Sequence, residues 1–355
     1  MIRVGIAGIG FMGWIHYLAY GRCDDTEVAA ICSRSQKKLD GDWRDIQGNF
    51  GPPGEQIGTS ALAAYPQLDD LLADDTVDLV DLCLPPHLHA DAAVAALDHG
   101  KHVFCEKPMA LTTDACQRMV AAARANDRQL FIGHVLPMFP EYARALRWID
   151  DGTYGSVRGG SFKRVISDPL WLADFYDPQR VGGPLIDLHV HDAHLIRLLF
   201  GMPTEVVSHG RMRDTVVEYC HTLFRFDDPQ LVVHAASGII PQHGRPFTHG
   251  FEVHTTGATL LFELAVIDGV PETLMPLTVL AGEGRVERPD LGEGDAVDPF
   301  VEEVREVARC AAANRPSRVL GGDLARDAVV LCHCQTESVR TGKPVTVPAQ
   351  EEDPQ

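Results

Sequence analysis

Ile2-Arg3-Val4-Gly5-Ile6-Ala7-Gly8-Ile9-Gly10-Phe11-Met12-Gly13 puts an apolar run directly before a glycine triad, and helical character follows over 14–21. A strand that passes through such a turn into a helix has a mechanical use. Gly8 permits the tight turn, Gly10 lets the backbone approach a pyrophosphate, and Gly13 lets the helix pack closely on the strand. The helix N-terminus attracts the phosphate charge. The pattern predicts dinucleotide binding by Gly8, Gly10, Phe11, Met12 and Gly13.

A second strand is predicted at 27–32. NAD-binding units end this strand in an acidic residue about 20 positions beyond the glycines. This chain has Ser33-Arg34-Ser35 there, with Lys37 and Lys38 close behind. No carboxylate stands ready to repel a 2′-phosphate, whereas a hydroxyl and a guanidinium can bind one. The expected cofactor is NADP, held through Ser33 and Arg34, with NAD as the alternative.

Further out, strands at 78–83, 101–105 and 130–134 alternate with helices at 68–73, 90–99 and after Thr112 or Thr113. Such alternation implies an α/β domain with a doubly wound parallel sheet, placed at 1–124. The strand in Gly100-Lys101-His102-Val103-Phe104-Cys105-Glu106-Lys107-Pro108 is stopped by its proline, which has a fixed φ and no N–H. Lys107 is thereby presented at a strand's carboxyl end, where open α/β sheets place their ligands.

Beyond a helix at 141–151 the period changes. Strands are expected at 156–166, 205–212, 216–226, 231–240 and 251–264, followed by closing helices at 299–315 and 322–341. Strands without intervening helices imply an α+β domain, 125–355, with a large, mostly antiparallel sheet. The last residues, 351–355, are expected to fray. Within Asp187-Leu188-His189-Val190-His191-Asp192-Ala193-His194, a helix would put Asp187, His191 and His194 on one face. Asp187 could then hold His191 in one tautomer and raise its basicity. Histidines and carboxylates this close could also ligate zinc, but no HExxH spacing appears and no metal is expected. Cys332-His333-Cys334 is expected to be buried helix.

The chain has 355 residues, 45% of them hydrophobic and 23% charged, enough for two ordinary domains with normal cores. Its net charge of -19 disfavours nucleic acid or an anionic membrane as a partner. Nine cysteines, an odd number, suggest free thiols in a reducing compartment. The first residues lead straight into a strand, and no apolar run reaches membrane-spanning length. A soluble cytoplasmic protein is expected.

Pro85-Pro86-His87-Leu88-His89, Gly100-Lys101-His102-Val103, Glu106-Lys107-Pro108, Gly133-His134-Val135, Pro140-Glu141-Tyr142, Gly182-Gly183, Asp187 to His191 and Glu337-Ser338-Val339-Arg340-Thr341-Gly342-Lys343 together resemble the glucose–fructose oxidoreductase / inositol dehydrogenase / rhizopine-catabolism (Gfo/Idh/MocA) family. The resemblance covers nearly the whole chain. It implies an N-terminal Rossmann domain and a C-terminal domain whose open-faced sheet pairs with a second subunit, giving a homodimer or homotetramer. It implies a metal-free active site of Lys107, Asp187 and His191, with Glu106, Pro85 and His89 framing the nicotinamide ribose. The implied substrate is a sugar, sugar derivative or cyclitol whose ring hydroxyl exchanges a hydride with the nicotinamide. Arg164, Asp168 and Trp171, just upstream, are candidates to line the sugar site with His194; the alternative is that Trp171 is packing and Asp168 a turn residue. The chain departs from the family pattern at Pro137, Pro184 and His194, where an arginine, a glycine and an acidic residue are usual. Two alternatives remain open: a glycoside-cleaving member working by oxidation, elimination and re-reduction, and a non-enzymatic cofactor-sensing regulator.

Overall fold

The computed structural model describes residues 1–349, so the expected fraying of 351–355 lies outside the described residues. The chain forms two compact units, Met1–Phe139 with Gly292–Arg326, and Pro140–Leu291 with Asp327–Gln355. The first division falls later than the expected 124/125, and a C-terminal segment returns to the first unit. Both differences follow from packing. The strand at 130–133 belongs to the parallel sheet, and the helix over 298–312 covers it.

The first unit begins with β1 (Ile2–Ala7), α1 (Phe11–Tyr20), β2 (Thr26–Cys32), α2 (Gln36–Leu39), β3 (Ala63–Tyr65), α3 (Leu68–Leu72) and β4 (Leu79–Leu82). It continues through α4 (His89–Asp98), β5 (His102–Glu106), α5 (Thr113–Ala125) and β6 (Leu130–Gly133). The six parallel strands lie in the order β3-β2-β1-β4-β5-β6. This is a Rossmann sheet whose order reverses between β1 and β4, the switch point where such sheets bind ligands. Inner strands covered on both faces need continuous rather than alternating apolar runs. Accordingly β4 is buried along its whole length; the edge strand β6 is buried too, bridged at Phe131 by Gly321.

Local signals end the elements where the sequence suggests. Thr112 caps α5, its Oγ1 accepting the Ala115 N–H. After α4 the chain closes a Schellman motif, with Lys101 N–H donating to Ala96 O and Gly100 N–H to Leu97 O. Gly100 has φ +73, the left-handed conformation this motif favours. Lys101 then turns inward and donates to the carbonyls of Asp74 and Val77 at 2.7 and 2.9 Å. Its role is to stitch loop to strand.

The second unit contains α6 (Pro140–Asp150), β7 (Val157–Ser167), a π-helical turn (Leu185–His189), α7 (Val190–Phe200), β8 (Glu205–Arg213), β9 (Val216–Arg225), β10 (Val232–Ile240), β11 (Phe247–Thr255), β12 (Ala258–Ile267), β13 (Val270–Ala281) and β14 (Val286–Glu287). Helix α8 (Asp298–Ala312) belongs to the first unit, α9 (Gly322–Thr341) runs across the division, and β15 (Val345–Thr346) ends the second. The nine strands lie in the order β14-β13-β12-β11-β7-β10-β9-β8-β15. All neighbours are antiparallel except β10 and β7. Strand β9 alternates as a half-covered sheet should: Cys220, Thr222 and Phe224 are buried, while His221, Leu223 and Arg225 are exposed.

The single strand expected at 251–264 is two strands. Thr255 Oγ1 donates to Ala258 O and accepts from the Gly257 and Ala258 amides, which closes a hairpin. Strand β13 follows through Asp268 (φ 48) and Gly269 (φ 78), a left-handed pair typical of two-residue hairpins. Pro271 and Pro276 hide this strand from pattern reading. They are tolerated because β14 covers only its far end, leaving the rest as an edge.

Candidate active site

The glycine turn after β1 fits a dinucleotide. Gly8 has φ +100, and a Cβ there would lie 2.3 Å from Cys83 O. A Cβ on Gly13 would lie 2.1 Å from Gly8 O, so helix and turn can meet only without one. Gly10 has open space around its would-be side chain, the clearance a pyrophosphate needs. Helix α1 has no side-chain cap and no acid in its first turn, so its N–H groups at Phe11 and Met12 suit an anion.

Ser33 is half-buried and Arg34 exposed just past β2. Arg34 makes no ion pair among the described residues, whereas Lys37 and Lys38 are both drawn to Asp45. The hydroxyl and guanidinium expected to bind a 2′-phosphate are therefore present, without help from the lysines.

Lys107 is half-buried directly after β5, and the Lys107–Pro108 bond is cis. Pro85 is exposed in the loop after β4, on the same edge of the sheet. His89 departs from expectation. It is fully buried, with Nδ1 2.8 Å from Pro108 O and Nε2 2.7 Å from Leu84 O. Both ring nitrogens are engaged by backbone, so His89 ties the β4 loop to the turn carrying Lys107 rather than framing a ribose. Burial pushes its pKa below the ordinary imidazole value, against the pull of the two carbonyls. Glu106 is likewise only 6% exposed and is held from beneath.

What holds Glu106 is a buried cluster that motif reading missed. His16, on α1, places Nδ1 2.8 Å from Asp81 Oδ2 and Nε2 3.1 Å from Glu106 Oε1. Its ring stacks on Phe104 at 5.1 Å. Cys83 donates to Asp81 Oδ1 at 3.4 Å. Glu303, on α8, is fully buried beside them, and neither carboxyl oxygen has a hydrogen-bond partner among the described residues. Burial alone would lower the His16 pKa, but Asp81 and Cys83 outweigh it and hold the imidazole well above its ordinary value. Burial pushes Glu303 well above the carboxylate range, and the Glu106 charge adds to this. His16 Nδ1, a carboxylate oxygen of Asp81 and Cys83 Sγ lie within 4.8 Å of one another, spacing that could suit a metal ion. Here these atoms already satisfy one another by hydrogen bonding. The signal was in the sequence: Asp81 interrupts the apolar β4, and Glu303 falls among Phe300, Val304 and Val307 on the buried face of α8.

In the second unit, Gly182 (φ +90) and Gly183 (φ +77) lead into the π turn, because Cβ atoms there would strike Ile186 and Val216 at 2.8 Å. Such wide turns are frequent at functional sites. Asp187 lies in this turn and His191 in the first turn of α7, both half-buried. The expected common α-helical face therefore holds only for His191 and His194, and His194 is 1% exposed. His189 is buried and accepts from Gln335 Nε2 at 3.0 Å; burial takes its pKa down to about 4.

Arg164 was expected at the sugar site. It is instead a core residue, 4% exposed, with Nε and Nη2 2.9 and 3.2 Å from the two oxygens of Asp192. Its fork is spent on a bidentate internal pair. Trp171 lies at the other extreme, 75% exposed. Asp168 accepts from Tyr176 Oη and Arg213 Nη1, which anchors the loop carrying Trp171.

Comparison with known proteins completes the description. Residues 2–134 match the family described as "Oxidoreductase family, NAD-binding Rossmann fold", and 142–261 match the "GFO/IDH/MocA C-terminal domain". The chain is 27% identical over 354 residues to dTDP-3,4-didehydro-2,6-dideoxy-alpha-D-glucose 3-reductase of Actinomadura kijaniata, covering 96% of this chain and 95% of that one. It is 27% identical over 225 residues to scyllo-inositol 2-dehydrogenase (NADP(+)) of Bacillus subtilis, 59% of this chain and 62% of that protein. An uncharacterized oxidoreductase of Streptococcus pneumoniae is 29% identical over 59% of this chain, and the match spans about half its length, 53%. Among solved structures, levoglucosan dehydrogenase in complex with NADH and levoglucosan shares the fold, with a TM-score of 0.78 at 20% identity over 98% of this chain and 100% of that one.

Two stability predictions follow from the buried charges. Arg164→Ala leaves Asp192 buried without its counter-ion and should cost about 3–5 kcal/mol in urea unfolding. R164M/D192L should cost less than R164A, and equal losses would refute the pairing argument. For Glu303, an acid whose folded pKa is raised contributes stability below its unfolded pKa and loses it as pH rises through the folded one. E303Q removes that titration. Its stability relative to wild type should grow as pH rises from about 4 to about 8, and a difference flat with pH would contradict it.

Proposed function

Because the chain belongs to the Gfo/Idh/MocA oxidoreductase family, we propose that it transfers a hydride between a nicotinamide dinucleotide and a ring hydroxyl or carbonyl of a sugar, sugar derivative or cyclitol. One observation carries this reading. Lys107 leaves β5 at the same carboxyl edge of the sheet where β1 delivers the glycine turn, with only β4 between them.

The glycine turn and the N-terminus of α1 bind the pyrophosphate, and Ser33 with Arg34 binds a 2′-phosphate, making NADP the preferred cofactor and NAD the alternative. When bound, the nucleotide supplies the hydride acceptor. In the oxidation direction the His191 imidazole takes the hydroxyl proton, with Asp187 orienting it. The Lys107 ammonium stabilises the charge developing on that oxygen. In reduction the same groups return the proton. A reducing, cytoplasmic setting is supported by nine free thiols. A second copy of the chain is the occupant proposed for the outer face of the nine-stranded sheet, where Leu223 is 41% and Val232 60% exposed.

A panel of sugars, sugar acids and inositols, assayed for reduced nicotinamide at alkaline pH, tests the activity. Turnover of a glycoside without net absorbance change would favour the oxidation–elimination–reduction chemistry instead. On an active substrate, Lys107→Ala should lower kcat by about 10²–10³-fold while nucleotide affinity stays largely intact; near-normal turnover contradicts its role. In equilibrium titration NADP should bind more tightly than NAD. R34A should weaken NADP alone, by about tenfold to a hundredfold for one charged hydrogen bond. A clear NAD preference in the wild type overturns the reading of Ser33 and Arg34.

A further inference from the structure

We propose that His16 is a positioning residue for Lys107, acting through the Glu106 carboxylate that it shares with the Lys107 backbone amide. The inference rests on the catalytic role proposed for Lys107. Glu106 Oε2 accepts the Lys107 N–H at 3.1 Å, while Oε1 lies 3.1 Å from His16 Nε2. A Cβ on Gly133 would stand 2.9 Å from that same Oε1, so the carboxylate is wedged between β6 and α1 and cannot swing away. On the other side of Lys107, the Pro108 carbonyl is fixed by buried His89. The backbone of Lys107 is thus clamped from both flanks, and one clamp ends on His16.

The cluster's charges explain why an imidazole is needed. Asp81 from β4, Glu106 from β5 and Glu303 from α8 converge on His16, with the Cys83 thiol and the Tyr20 hydroxyl beside them. His16 Nδ1 is hydrogen-bonded to Asp81 Oδ2 at 2.8 Å, whereas Nε2 makes no hydrogen bond among the described residues and faces Glu106 Oε1 at 3.1 Å as an ion-pair contact, so charge holds that oxygen. The His16 ring lies between the Asp81 and Glu106 carboxyl groups, and burial pushes Glu303 well above the carboxylate range. Without the ring, two carboxylates would repel across the gap, and Glu106 would lose the partner that orients it toward the Lys107 amide.

Asparagine and glutamine separate the two sides of the ring. H16Q keeps a donor near the Nε2 position, toward Glu106; H16N keeps one near Nδ1, toward Asp81. The expected result is that H16N lowers kcat by about 10²-fold, the scale of an ångström of misplacement, while nucleotide affinity remains close to wild type. H16Q, which keeps a donor toward Glu106 but no charge, should recover only part of that loss. The acidic limb of the kcat profile should move in both variants, because both remove the imidazole, a readout a purely structural role would leave alone. Equal loss in both variants, or loss that follows nucleotide affinity, overturns the proposal. Should H16N fail to fold, E106Q decides: its amide cannot accept from both His16 and the Lys107 N–H, so kcat should fall with nucleotide binding retained, and unchanged kcat overturns the proposal. K107A in the same assay separates the two readings. If K107A is inactive and H16N is unaffected, only the His16 inference fails; if K107A turns over normally, the catalytic reading fails and takes this inference with it.

Discussion

A carboxylate buried at the end of an inner strand must find its compensation inside the protein, because an uncompensated ion there costs several kcal/mol. Glu106 meets that demand with one oxygen against His16 and the other on the Lys107 amide. Much of the first unit is arranged to make this possible. Helix α1 is held tight to the sheet by Gly13, which brings His16 under β4 and β5. Helix α8 closes the pocket with an apolar face interrupted by Glu303. The pocket then gathers one imidazole and three acids, Asp81, Glu106 and Glu303.

The second unit repeats the device with different residues. His191 is half-buried, and the next residue, Asp192, is fully buried against Arg164 from β7. Lys107 is half-buried, and the residue before it, Glu106, is fully buried against His16 from α1. In each unit a half-buried basic residue adjoins a buried acid. The pairing cation comes from another element, so the position of the half-buried side chain depends on tertiary packing and not on its own loop.

This division explains what could be read in advance. The Rossmann half was legible almost element by element, because buried parallel strands are continuous apolar runs and glycine at Gly8 and Gly13 is dictated by contacts no other residue allows. The place of Lys107 just past the end of β5 was legible because Pro108 stops the strand. The anchoring acids and their partners were not, since a sequence displays charges without saying which are buried together. Arg164 therefore looked like a ligand for substrate, and His89 like a neighbour of the ribose, until their partners were visible. In the second unit the Asp268-Gly269 hairpin was readable and overlooked, while Pro271 and Pro276 obscured an edge strand that tolerates them.

The measurement that bears most directly on the account is the fate of a labelled hydride. With nicotinamide deuterated at its transferable position and a panel of keto-sugars and inososes as acceptors, mass spectrometry of the products follows the label. The account predicts deuterium bonded to a ring carbon of the reduced product. Label that stays on the nucleotide with every acceptor, or that appears only in solvent, would contradict it.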